Sequence, residues 1–311
     1  MDAIGLRVFG SPEVLETVRV AEPHADAGEV RIRVAAATVN PVDTMLRAGH
    51  MAGALLGQSP PYIPGMEAAG VIDEVGDGVD LELGAEVIGM VLPVTKSKGA
   101  YAEYVVVPAR QVVKAPKGVE IAGAATIPMN GLTALLAVDG LGLESGQWVA
   151  VTGAAGAVGG FAVQIARHRG LNVIADSTKA DSAMVEAFGA EHIVERGDGV
   201  AERIRRFVPN GVDGLIDGSV QSDALFAAVR DGGKVSALRG SARIAERSVT
   251  VNQIRVSSWA HRTDLLCGVR EMAERGVLTV RVRETFAYHA AADAHRLLEA
   301  GGVRGRFVLV F

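Results

Sequence analysis

Three glycines, Gly153, Gly156 and Gly159, stand three residues apart in WVAVTGAAGAVGGFAVQIARHRG, residues 148–170. The apolar run Trp148-Val149-Ala150-Val151 before them reads as a buried parallel strand. After them, Gly160-Phe161-Ala162-Val163-Gln164-Ile165-Ala166 has apolar residues at helical spacing. Strand, glycine turn and helix in that order make a seat for a pyrophosphate. Backbone N–H groups at the helix start point at the anion, and a Cβ in the turn would block its approach. The backbone of Ala155, Gly156, Ala157 and Val158 is the expected cradle. Asp176 ends the next apolar strand, Asn172-Val173-Ile174-Ala175, 20 residues beyond Gly156. A carboxylate at about that spacing hydrogen-bonds an adenosine ribose and repels a 2′-phosphate, which argues for NAD. Ser177-Thr178-Lys179 follow at once, and two hydroxyls with an ammonium suit a 2′-phosphate, which argues for NADP.

A second set of residues offers proton and charge chemistry. Tyr62 lies in the stiff loop Ser59-Pro60-Pro61-Tyr62-Ile63-Pro64. A phenol there can donate to a developing oxyanion or protonate an enolate, and aromatic packing is its alternative role. Asn40 and Asp43 are polar candidates for the same side, with helix capping ahead of Thr44 as the alternative for Asp43. Tyr101 and Tyr104 alternate with apolar residues and read as core. Metal donors are sparse. Cys267 is the one cysteine, and of 7 scattered histidines the closest pair, His289 and His295, read as packing or surface residues. A catalytic zinc needs three protein ligands, so no metal is expected.

These groups need a framework. Residues 1–121 read as short strands and turns, with clean alternation in Val30-Arg31-Ile32-Arg33-Val34. From 122 the pattern becomes a parallel α/β alternation, with strands at 148–151, 172–175, 191–194, 214–217 and 234–238 and helices at 181–188 and 200–207. Near 259 it gives way to helices over 263–275 and 290–300 and a closing strand, 306–311. The expected fold class is α/β, a Rossmann-type doubly wound parallel sheet plus a mostly antiparallel β domain.

The turn Thr152-Gly153-Ala154-Ala155-Gly156-Ala157-Val158-Gly159 departs from G-x-G-x-x-G and resembles the fingerprint of the medium-chain dehydrogenase/reductase superfamily. The likeness is to its zinc-independent quinone oxidoreductase (zeta-crystallin-like) branch. Asn40-Pro41-Val42-Asp43, Pro64-Gly65-Met66-Glu67-Ala68-Ala69-Gly70-Val71, Gly99-Ala100-Tyr101-Ala102-Glu103-Tyr104, Pro128-Met129-Asn130-Gly131-Leu132-Thr133-Ala134 and the C-terminal Gly305-Arg306-Phe307-Val308 look like further motifs of that family. The resemblance covers essentially the whole chain.

It implies a GroES-like catalytic domain built from 1–121 and 259–311, interrupted by a dinucleotide-binding domain over 122–258. It places the segment with Asn130 and Thr133 against the nicotinamide, flanked by the strand ends Gly218 and Leu238-Arg239-Gly240. It implies a homodimer paired through the strand around 249–256. In zinc-bearing relatives the ligands are a Cys within the segment matching 38–43, a His where Met66 stands, and a Cys or carboxylate near Asn130, and this chain has none of the three. The implied activity is zinc-independent hydride transfer from NADPH to a quinone or an α,β-unsaturated carbonyl. Without a Lewis acid, acceptors that delocalise the new charge fit better than simple alcohol oxidation. NADP is the expected cofactor, with NAD open through Asp176. An enoyl-thioester reductase, or an NADP-binding sensor or structural protein without turnover, are the alternatives.

The composition excludes other classes. The 311 residues carry a net charge of -5, which gives no electrostatic case for nucleic acid or an anionic membrane. No apolar run is long enough to span a bilayer, and the first residues show no signal pattern. A single cysteine suits a reducing compartment, so the expectation is a cytoplasmic protein acting on a small molecule.

Overall fold

Val149, Ala150, Val151, Val173, Ile174, Ala175, Leu215 and Ile216 are completely buried, as a parallel sheet covered on both faces requires. The structure, a computed structural model, describes residues 1–95, 97–239 and 247–311. These residues form two units. One comprises Asn130–Val256 and Arg275–Thr279. Its six-stranded sheet runs, in spatial order, His192–Glu195, Asn172–Ser177, Trp148–Thr152, Val212–Asp217, Val229–Ala237 and Thr250–Gln253. Every neighbouring pair is parallel. Numbered by sequence the order is 3-2-1-4-5-6, the doubly wound arrangement whose order reverses beside the first strand. The expected strands fall within one or two residues of these, except that Val229–Ala237 begins earlier, across Asp231-Gly232-Gly233. Gly240, one of the residues expected beside the nicotinamide, lies outside the described residues.

The other unit comprises Met1–Met129, Ser257–Glu274 and Val280–Phe311. Its seven-stranded sheet centres on the long strand Glu29–Val39, which pairs antiparallel with Glu67–Val75, Tyr104–Pro108 and Arg306–Val310. The closing strand thus packs into the sheet begun by the first part of the chain. A further strand, Val282–Ala287, runs parallel to Arg306–Val310 at the sheet edge. It has no counterpart in the sequence reading because nearly all its side chains are exposed, so no alternation marks it. The core gathers Val30, Ile32, Ala68, Ile72, Val105 and Leu309. No helix among the described residues is long and apolar enough to cross a membrane.

Candidate active site

The glycine turn forms where the sequence places it. Strand Trp148–Thr152 ends, Gly156 caps, and helix Ala157–His168 begins. A Cβ on Gly159 would lie 2.2 Å from the Gly153 carbonyl oxygen, so only glycine lets the helix close onto the turn. Asp176 sits beneath it, 2 % exposed. Its Oδ1 accepts the N–H of Gly153 at 2.7 Å and of Ala154 at 3.2 Å. Its Oδ2 is buried without a hydrogen-bond partner. Burial raises its pKa, and the amide bonds hold it down in part. One oxygen therefore braces the turn and the other is unspent.

The neighbours expected to hold a 2′-phosphate are engaged elsewhere. The Thr178 hydroxyl donates to Asp181 Oδ2 at 2.6 Å. The Ser177 hydroxyl is buried, 3.0 Å from both the Thr178 carbonyl oxygen and Ser182 Oγ. Lys179 is exposed. At the next strand end Asp217, which the sequence reading passed over, gathers Val220 N–H at 2.7 Å and Ser219 N–H at 3.1 Å on Oδ1, with Thr152 Oγ1 3.3 Å away. It fixes the loop containing Gly218, and Val220 there takes a left-handed φ of 61°. Leu238 N–H reaches Asp217 O at 3.4 Å, and the exposed Arg239 follows it. Ala155 is buried, whereas Gly156, Ala157 and Val158 are partly exposed. Asn130 is buried and Thr133 half-buried on helix Pro128–Asp139.

In the other unit the structure joins Asn40 and Asp43 to Glu67, which the sequence reading quoted within a family motif but did not name as a site residue. All three are buried. Glu67 Oε1 accepts from Asn40 Nδ2 at 2.8 Å, and Oε2 accepts from Met129 N–H at 2.7 Å, in the first turn of helix Pro128–Asp139. Asp43 Oδ2 accepts Asn40 N–H at 2.8 Å and Oδ1 accepts Gly65 N–H at 2.9 Å. Asp43 thus caps helix Pro41–Arg47 and ties it to the loop before Met66, the capping role named above as its alternative. Burial pushes both carboxyls up to about 7, against the pull of these bonds and of the Arg306 charge. Next to them the Tyr101 hydroxyl lies 3.1 Å from His295 Nε2. Burial drives the His295 pKa down to about 3, so His295 is a neutral packing residue. Tyr62 stands apart from this network. Its ring stacks on Phe9 with centroids 5.4 Å apart, and its backbone pairs with Leu6.

The chain matches two family descriptions, "Alcohol dehydrogenase GroES-like domain" over residues 26–117 and "Zinc-binding dehydrogenase" over 157–263. It is 30% identical to a 2-haloacrylate reductase of a Burkholderia species, covering 97% of this chain and 96% of that one. It is 29% identical to an NADPH-dependent alkenal/one oxidoreductase of Arabidopsis thaliana, over 97% of this chain and 77% of that one. A quinone oxidoreductase structure from Pseudomonas syringae superposes with a TM-score of 0.88 at 26% identity, covering 100% of this chain and 99% of that chain. The second family description raises zinc, and the donor set does not fit it. Among the described residues no three His, Cys, Asp or Glu side chains are placed to hold a metal. Both Glu67 oxygens are spent on N–H donors, and a buried Met66 stands beside it.

Proposed function

The chain belongs to the medium-chain dehydrogenase/reductase superfamily, and from that premise we propose a zinc-independent oxidoreductase that passes hydride from a reduced nicotinamide dinucleotide to a quinone or to the C=C of an α,β-unsaturated carbonyl. The observation that carries the reading is a pairing. A dinucleotide turn is braced by Asp176, and in the catalytic unit Met66 precedes a Glu67 whose oxygens both accept N–H donors, with no three metal donors gathered among the described residues. The names of the relatives, which act on quinones, alkenals and a haloacrylate, support the same acceptor class. In this reading residues 122–258 bind the dinucleotide, while 1–121 with 259–311 bind the acceptor.

When bound, the dinucleotide supplies the hydride. The chain's residues do the rest. N–H groups of residues 155–158 face the pyrophosphate, Asp176 Oδ2 takes a ribose hydroxyl, and Asn130 and Thr133 flank the nicotinamide together with Gly218, Leu238 and Arg239. Asn40 and Asp43 hold the acceptor side in register through Glu67, and the Tyr62 phenol provides a proton.

NADPH is the donor that the resemblance and an alkenal/one oxidoreductase relative favour. A second reading, NADH, is favoured by one observation: Asp176 is buried with a free oxygen while the hydroxyls of Ser177 and Thr178 are committed to other partners. A cofactor-oxidation assay pairs each donor with a small quinone, a 2-alkenal and an enoyl thioester. Turnover of quinone or alkenal is the expected result, and tight cofactor binding with no turnover of any acceptor would sink the enzyme reading. A larger kcat/KM with NADPH than with NADH would reject the second reading.

Thr250–Gln253 stands last in the strand order of the six-stranded sheet among the described residues. We place it at a homodimer interface of a cytoplasmic enzyme. Sedimentation velocity should give twice the 32.3 kDa chain mass, and a monomer at micromolar concentration would reject the placement.

A further inference from the structure

Lys98 has a left-handed backbone, φ 56°, which a residue with a Cβ adopts only at a cost. Its neighbours leave little choice. Ala100 N–H donates to Gly65 O and Tyr101 N–H to Pro64 O, both at 3.0 Å. A Cβ on the intervening Gly99 would fall 2.0 Å from Pro64 O, so the segment lies directly against the loop that leads from Tyr62 to Met66. The Lys98 side chain folds back onto the same loop, and Nζ donates to Pro61 O at 2.9 Å. One of three ammonium hydrogens is spent there. Lysines usually turn the ammonium to water or to an acid. This one is half-buried, burial alone lowers its pKa, and no carboxylate among the described residues pairs with it. It is an unneutralised cation held against Pro61, in the loop that carries Tyr62 and leads to Gly65.

We propose that Lys98 is a catalytic residue that takes the place of a Lewis acid, its ammonium donating a hydrogen bond to the acceptor oxygen on which negative charge develops. The inference rests on the reaction proposed above. The reduced dinucleotide loses hydride, and a C–H bond forms at the acceptor's β-carbon. The C=C π pair moves toward the carbonyl, whose oxygen becomes an enolate. Lys98 N–H meets that oxygen, and a proton from Tyr62 or water then completes the saturated carbonyl. With a quinone the same charge arrives on a hydroquinone oxygen, a weaker base, so less is asked of the lysine.

The test compares Lys98→Met, Lys98→Arg and Lys98→Gly with the wild type. Lys98→Met should lose about 10²-fold in kcat with a 2-alkenal and roughly tenfold with a quinone, and Lys98→Arg should recover most of the loss. Lys98→Gly removes the ammonium and also relieves the left-handed backbone. It should match the same loss of turnover with a Tm at or above wild type, which separates chemistry from folding. A binding assay needs no turnover. With oxidised cofactor present, 4-nitrophenolate, an oxyanion probe, should bind Lys98→Met about tenfold more weakly than wild type. Turnover of Lys98→Met within about threefold of wild type for both acceptors, or unchanged phenolate affinity, overturns the proposal. A wild type that turns over neither acceptor would instead reject the reaction, and the phenolate affinity would still decide for or against Lys98.

Discussion

Replacing Asp176 with alanine should destabilise the protein by about 2–4 kcal/mol and weaken dinucleotide binding by about 10²-fold. The N–H groups of Gly153 and Ala154 both depend on Oδ1 of this one residue. Each would be left without an acceptor in a buried turn, at about 1–3 kcal/mol apiece. Relief from burying a carboxylate offsets part of that, since burial already raises the Asp176 pKa. Urea unfolding and dinucleotide titration measure the two effects. A variant of wild-type stability would mean that the turn holds its shape without the brace.

Asp176→Asn separates the brace from the ligand role. Both amide bonds end on the same oxygen, so an asparagine keeps them through its carbonyl and places an NH2 where the free Oδ2 stands. The expected result is near wild-type stability, NADH affinity reduced by roughly tenfold, and a smaller preference between NADH and NADPH, because the charge facing a 2′-phosphate is gone. Unchanged affinity for both dinucleotides would show that Oδ2 faces no ligand hydroxyl.

The parts of this site that are local in sequence were legible, and the parts made by long-range contact were not. Gly153 to Gly159 and Asp176 announce themselves because strand, turn, helix and strand follow one another within thirty residues or so. What Asp176 does with each oxygen is not in that pattern, since it depends on the turn packing over the strand end. Glu67 left one faint signal, an acid opening the otherwise apolar Glu67-Ala68-Ala69-Gly70-Val71-Ile72. An acid there must be exposed or paired, and its partners, Asn40 and Met129, come from other elements. Tyr101 and His295 meet across 194 residues, beyond the reach of any periodicity. The layout of the β unit was read from family likeness rather than from pattern, and its edge strand Val282–Ala287, with Arg283 and Glu284 exposed, shows why. An edge strand with solvated faces carries no alternating code.

The buried carboxyls carry the second large effect, a loss of stability toward alkaline pH. Asp43 and Glu67 are each raised to about 7, from ordinary values of 3.8 and 4.5. The folded state keeps their protons where the unfolded chain has released them. Their contribution is therefore complete below about pH 4 and disappears as pH climbs through 7. His295 works the other way. Its pKa falls from 6.5 to about 3, so stability is lost as pH drops below 6.5 and the unfolded imidazole charges. Between pH 5 and 6.5 the folded chain holds two carboxyl protons against one imidazole proton in the unfolded chain, and the carboxyls decide the slope. From pH 5 to 9 the net loss is about 3 kcal/mol, the two carboxyls losing roughly 5 and His295 returning roughly 2. Glu13 and Asp264, lowered to about 2, titrate below this window. Glu67→Gln removes one titrating group and keeps the Met129 N–H bond on the Gln carbonyl, while the lost Asn40 contact is an offset common to every pH. Unfolding free energies at pH 5, 7 and 9 should fall steadily for the wild type and stay nearly level for Glu67→Gln. Parallel curves for the two proteins would show that Glu67 is ionised across the whole range, its charge held by Arg306 and the two N–H donors.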